Sequence, residues 1–403
     1  MESGQFHRNR GYISINAHVC SVGLTDFCYG QVQSLKVRSH KVIPRYFCYV
    51  VFSSFPLQAQ ADFTMKNNDD MKQTIFYGNG INRLANPEIN WSSIMRNVTG
   101  EDSMECKDGA LTFKYERNLL QKALSRNRKR KGPFAYFEDD VKRQFHEQLL
   151  ELHSGRCKYD IYASLFNIPA DFFLTTNYDN IYVDGLEKAG FQIKDTHYAE
   201  SVYNMRRREV WYKERDNRKI TIWTIHGLCK TMKSIMLGFD HYCGSISRIG
   251  NYLDIGKIQH QKTNDDYEGY KRESTKRKRR GEKKYYPYIY YRLECDQSNS
   301  DLQFWMDTFF FSDVHIIGFA FSLDEIDLWW LLIKRMRLKL SGLNIRNRIM
   351  FYGYAEPKVR AFLEAYDVEV NNCTEIKPTK PDGWMALYKK DILKINDYIT
   401  GHK

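Results

Sequence analysis

The chain contains no Cys-x-x-Cys pair, and its nine cysteines are scattered from Cys20 to Cys373. An odd, unpaired set excludes a disulfide scaffold and a zinc ribbon, and it fits a reducing, cytoplasmic compartment. No apolar run reaches the roughly 18–20 residues that a membrane helix needs, so no membrane partner is expected. There is no internal repeat. The complete Gly-x-Gly-x-x-Gly fingerprint is also missing, because Arg83 stands where its last glycine would. Acidic residues are outnumbered: 49 Asp and Glu against 61 Lys and Arg leave a formal charge of +12. Much of the excess sits in two runs, residues 126–131 and the stretch from Lys271 to Lys284. Charge gathered in two segments reads as solvated loop. Nucleic acid bound through the second run is the alternative.

What is present begins after residue 70. Residues 1–70 hold three of the cysteines and lack helical periodicity. Their apolar stretch ends in Ala59-Gln60-Ala61, which mimics a signal-peptide cleavage site. It begins only at Tyr46, too deep for a signal. Residues 1–70 therefore read as an appended segment, disordered or upstream-translated, with the domain starting at Met65 or Met71 and running to 403.

From there strands alternate with helices. Apolar runs at 73–77, 170–174, 219–225, 314–318 and 349–352 predict strands, with a short last one at 368–370. Helical spacing covers 110–128, 137–153, 185–190, 232–253, 304–311 and 323–340. Pro357 suits the first turn of a helix reaching about residue 365. Residues 260–284 have no apolar period and read as an exposed loop. The alternation predicts an α/β fold with a doubly wound, mainly parallel, Rossmann-like sheet carrying a helical and basic insertion at about 228–300.

Four polar or glycine-bearing stretches stand at strand ends. They are Gly78-Asn79-Gly80-Ile81-Asn82-Arg83, Thr175-Thr176-Asn177-Tyr178-Asp179, His226-Gly227 and Gly318-Phe319-Ala320-Phe321-Ser322. Carboxyl ends of successive strands are where an open α/β sheet holds a nucleotide. Gly78 and Gly80 allow a backbone to approach a pyrophosphate at a helix start, with Asn79 and Asn82 in the same turn and Arg83 able to add a charge-assisted bond. Thr176 and Asn177 lie near a ribose on this reading; the amide orients a water and binds a sugar hydroxyl. Asp179 can stabilise positive charge on the ring. A helix cap or turn is the competing role for the same residue types. His226, with an unperturbed pKa near 6.5, suits a general base, and Gly227 leaves room beside it. Gly318, Ser322 and Asp324, with Asp327 following, look like the opening of a second phosphate- or ribose-binding turn, or a cap made by Ser322.

Taken in order, these motifs resemble the sirtuin family, from about residue 72 to 372. That family carries a glycine-alanine-glycine turn, Thr-Gln-Asn-Ile-Asp, His-Gly and a Gly-Thr-Ser turn. Sirtuin deacylases also carry a four-cysteine zinc module, whereas residues 228–317 hold only Cys229, Cys243 and Cys295. The pattern is closer to the sirtuin-like, NAD-hydrolysing domains of bacterial anti-phage systems. The resemblance implies NAD as substrate, no zinc, and an NAD glycohydrolase acting in abortive infection. Asn177, His226 and Asp179 would be catalytic. It also implies a homo-oligomer and an activating partner, such as a HerA-type ATPase or a phage component. Protein deacylation and a silent nucleotide-sensing subunit are the alternatives.

Overall fold

The structure is a computed structural model. It describes residues 71–87, 89–99, 111–125, 135–153, 160–197, 202–258, 261–262, 267–282, 286–295, 302–322 and 325–401. The segment 1–70 and its start-site expectations lie outside the described residues, as do Leu323 and Asp324.

The strands are β1 (Lys72–Tyr77), β2 (Phe172–Thr175), β3 (Gln192–His197), β4 (Arg208–Lys213), β5 (Arg218–Thr224), β6 (Lys257–Ile258), β7 (Gln261–Lys262), β8 (Ser312–Ile317), β9 (Ile349–Tyr354) and β10 (Glu369–Thr374). The helices are α1 (Asn79–Ala85), α2 (Trp91–Thr99), α3 (Leu111–Ser125), α4 (Ala135–His153), α5 (Asp160–Asn167), α6 (Tyr182–Lys188) and α7 (Phe239–Ile255). They continue with α8 (Tyr267–Arg279), α9 (Tyr288–Glu294), α10 (Thr308–Phe311), α11 (Ile326–Leu340), α12 (Pro357–Ala365) and α13 (Pro381–Gly401).

The main sheet has eight strands in the order β10-β9-β8-β1-β2-β5-β4-β3. From β10 to β5 every pairing is parallel; β4 and β3 extend the edge antiparallel. The fold is thus α/β with a mixed, mostly parallel sheet. Read from β5, the parallel strands follow the chain order 3-2-1-4-5-6, the order of dinucleotide-binding sheets. The direction of travel reverses between β1 and β8.

Strand alternation sends side chains to two cores. Phe76, Leu174, Trp223, Ile316 and Phe351 join one, with α7 to α12. Ile75, Tyr77, Phe173, Ile222 and Tyr352 join the other, with α1, α5, α6 and α13. Both faces of the sheet are therefore covered, which is why its central strands read as continuous apolar runs. Helices α2, α3 and α4 form a third cluster around Tyr115, Val141 and Phe145. It includes Tyr178, Cys229, Ile235 and Leu237 from the loops after β2 and β5.

Two sequence expectations need correction. The stretch 260–284 is not all loop: α8 occupies its middle, because Tyr267 and Tyr270, one turn apart, bury against the core. Arg277 lies 4.1 Å from the Tyr286 ring and ion-pairs with Glu294. The helix expected over 232–253 is interrupted. A 3-10 turn at Met232–Ser234 and an extended passage precede α7, and the Met236 N–H bonds to the His226 carbonyl at 2.9 Å. The aromatic run 304–311 is core, with Phe304, Trp305 and Phe309–Phe311 buried and Trp329 and Trp330 half-buried. No helix among the described residues is long and apolar enough to cross a membrane.

A half-buried polar cluster ties α4 to α7. Glu138 takes hydrogen bonds from His241 Nε2 (2.6 Å) and Lys142 Nζ (3.0 Å). His241 Nδ1 meanwhile accepts from the Leu237 and Gly238 amides. The His241 bond, opposed by burial and helped by Lys142, holds the Glu138 carboxyl down at about 2. A depressed carboxyl stabilises the fold above its unfolded value of 4.5 and loses that effect as pH falls toward about 2. Glu138→Gln should therefore cost about 2 kcal/mol at pH 7, discounted because Glu138 is partly exposed. In urea titrations the gap from wild type should close between pH 4.5 and 2. A gap that does not change with pH would rule the ion pair out.

Candidate functional site

The loops of interest gather at the carboxyl end of the parallel strands. At the point of reversal, the turns after β1 and β8 are bonded to each other. Gly78 N–H donates to the Ile317 carbonyl at 3.0 Å, and Gly80 N–H to the Gly318 carbonyl at 2.8 Å. A methyl group on Gly80 would lie 2.8 Å from that carbonyl and 2.7 Å from the Tyr388 hydroxyl. These glycines are thus required by backbone meeting backbone. Their amides are engaged and do not form the expected pyrophosphate cradle.

Neighbouring residues divide in the same way. Asn79 Nδ2 donates to the Ile89 carbonyl at 3.3 Å. Asn82 is buried, donates to Asp179 and accepts from the Tyr162 hydroxyl. Arg83 is exposed on the last turn of α1. Ser322 is exposed, and its carbonyl accepts from the Glu325 amide (3.2 Å) and the Trp329 indole (3.1 Å). Asp324 lies outside the described residues. Cationic groups at this end also come from a run that sequence reasoning passed over, Arg206-Arg207-Arg208. Asn204 Nδ2 anchors that loop to the Thr224 carbonyl at the end of β5. Arg207 is fully buried.

The loop after β2 splits into residues with and without partners. Asn177 N–H donates to Thr175 Oγ1 at 3.1 Å, and Thr176 is buried. Asp179 accepts from Asn82 and from the Ile181 amide at 3.1 Å, so its carboxylate does the work of a turn. Asn177 is different. Its side chain is 1% exposed, and neither its Oδ1 nor its Nδ2 has a partner. An unsatisfied buried polar group costs about 1–3 kcal/mol, and such groups call for an explanation.

His226 stands at the equivalent place on the next strand. Thr175 of β2 is in register with Thr224 of β5, and Asn177 and His226 each follow by two residues. The Ile225 amide donates to the Thr175 carbonyl (2.9 Å) and the Cys229 amide to the Tyr178 carbonyl (2.6 Å), lacing the two loops together. Trp91 and Phe145 pack edge-on against Tyr178 or close to it from the helical layer, at 5.3 and 5.5 Å.

The imidazole is buried between two carboxylates. Nε2 lies 3.2 Å from both oxygens of Asp327, and Nδ1 lies 3.5 Å from Glu325 Oε2. Asp327 is itself buried, and also accepts from Ser245 Oγ (3.1 Å) and the Leu328 amide (3.0 Å). The Tyr242 ring meets the imidazole edge-on at 5.3 Å. Burial pulls the His226 pKa down, but Asp327 and then Glu325 outweigh it and the net direction is up. The three groups lie within 4.8 Å of one another, a spacing that a cation can bridge and that the attraction of an imidazolium for two carboxylates also produces. Sequence reasoning missed Glu325, and it placed Asp327 beside the Gly318 turn without pairing it to His226. Their signal was an acidic pair just beyond the Gly318 turn. Burial pushes the Cys229 thiol up to about 12, which leaves no thiolate nucleophile there at neutral pH.

β8 and β5 are separated in the sheet by β1 and β2, a span of roughly 14 Å at about 4.8 Å per strand. The contact between His226 and Asp327 therefore crosses the ends of those two strands, one of which leads into Asn177. Neither a protein-family model nor a curated protein matches the chain.

Proposed function

We propose that the chain binds NAD on a doubly wound, Rossmann-like sheet and hydrolyses its nicotinamide–ribose bond. The observation that carries the reading is Asn177: a buried carboxamide without a partner, at the carboxyl end of a central parallel strand, in register with His226. Such a group is completed by a ligand that offers both a donor and an acceptor. A ribose hydroxyl and a water molecule each do so.

The chemistry suits what surrounds it. Cleavage passes through an oxocarbenium-like state, and nicotinamide leaves neutral without a general acid. With its ring protonated, His226 between Asp327 and Glu325 forms a trio of net charge −1, the sign that positive charge on a ribose favours. Asp179, engaged with Asn82, supports the loop. The resemblance to the sirtuin-like domains of anti-phage systems adds a role in anti-phage defence, and because an NAD-depleting activity must be restrained in a healthy cell the reading includes an activating partner or oligomer.

Purified protein incubated with NAD should release nicotinamide and plain ADP-ribose in equal amounts, measured by liquid chromatography, with no acylated peptide present. Release that needs an acyl-lysine peptide would favour a deacylase. No release, together with salt-sensitive DNA binding lost on neutralising the run from Lys271 to Lys284, would favour a nucleic-acid-binding subunit.

A further inference from the structure

The expected general base, His226, presents both ring nitrogens to carboxylates. Nε2 faces Asp327, Nδ1 faces Glu325, and Tyr242 lies against the ring. Asp327 is enclosed as completely as the histidine. Of the three ionisable groups in the row, only Glu325 reaches solvent, with 20% of its side chain exposed against 2% for His226 and 1% for Asp327. The row therefore has a direction, from a sealed carboxylate through an imidazole to a partly exposed carboxylate.

Resting on the NAD-cleaving reading, we propose that Glu325 is the catalytic base that takes the proton of the attacking water, with His226 and Asp327 as the residues that position it. The step balances. The water oxygen bonds to the anomeric carbon as the carbon–nitrogen bond breaks. Nicotinamide leaves with that electron pair, the water proton passes to the Glu325 carboxylate, and ADP-ribose is released before the proton returns to solvent. The arrangement follows the order of a catalytic triad, in which a buried carboxylate orients a histidine and the outermost group meets the substrate. Here the outermost group is itself a carboxylate. It carries the negative charge that a positively charged ribose draws toward it, which a neutral imidazole does not.

The test compares wild type, Glu325→Gln, Glu325→Asp and Asn177→Ala for nicotinamide release, with NAD binding by calorimetry and folding by circular dichroism on each. Glu325→Gln should lower kcat by about 10²–10⁴-fold with NAD affinity changed less than threefold, and Glu325→Asp should recover part of the loss. A Glu325→Gln rate within twofold of wild type overturns the assignment and returns the base to another group. Loss of activity on chelation, restored by Mn²⁺ or Zn²⁺, also overturns it, because the row would then be a metal centre. A wild type that releases no nicotinamide fails at an earlier point. It removes the NAD-cleaving reading, and this assignment with it.

Discussion

Asn177→Ala should abolish nicotinamide release while leaving the protein as stable as wild type, or slightly more so. The two halves of that expectation have one cause. A positioned hydrogen-bonding group at a reacting centre is worth about 10²–10³ in kcat. In the unliganded protein the same carboxamide is buried with both polar atoms unsatisfied, a burden of about 1–3 kcal/mol. Removing it takes away that burden at the price of a small cavity, so the melting temperature should hold or rise. Groups kept for function against stability behave in this way. An Asn177→Ala protein that melts several degrees lower and still cleaves NAD would make the amide a structural element whose partners are not hydrogen bonds.

Much of the frame behind Asn177 is readable before any coordinates. Central parallel strands buried on both faces produce runs such as Thr74–Tyr77 and Val314–Ile317, and polar residues at their ends mark the crevice side. Asn177 and His226 were legible for that reason. The antiparallel edge strands β4 and β3 were not. Gln192–His197 of β3 is exposed along almost its whole length and carries no apolar alternation. Its strand character comes from pairing with β4. α13 does carry Tyr388, Ile392, Ile395 and Ile399 at helical spacing, although the expected elements stop at the strand before it.

The site was legible by half. Asp327 and His226 are 101 residues apart, and their contact depends on where α11 begins relative to the end of β5. That is a property of strand order, and local pattern does not encode it. The glycine turn fails for another reason. A glycine that lets phosphate approach and one that lets a neighbouring carbonyl approach are the same letter. Gly78 and Gly80 belong to the second kind, because the switch point brings the turns after β1 and β8 together.

Gly227 supplies the contrasting case, in which fold and activity should fail together. Its φ is +111°, a region that L side chains rarely adopt, and an added methyl would sit 2.2 Å from the Ser234 carbonyl oxygen. The two peptides cannot separate freely. The Leu228 amide is bonded to Ser234 Oγ at 3.0 Å, and the Met236 amide returns to the His226 carbonyl at 2.9 Å. Backbone strain of about 1–3 kcal/mol and overpacking of a similar size place the cost of Gly227→Ala at about 2–6 kcal/mol. Relief by moving residues 228–236 would drag the His226 backbone with it and open the 3.2 Å contact with Asp327. The expected result in urea unfolding is a midpoint shifted far down, with nicotinamide release lost even at temperatures where the variant is folded. A Gly227→Ala protein with wild-type stability would mean that the close approach to Ser234 is not what holds the histidine. The same variant, folded and with its rate intact, would mean that the geometry between His226 and Asp327 is not what the reaction needs.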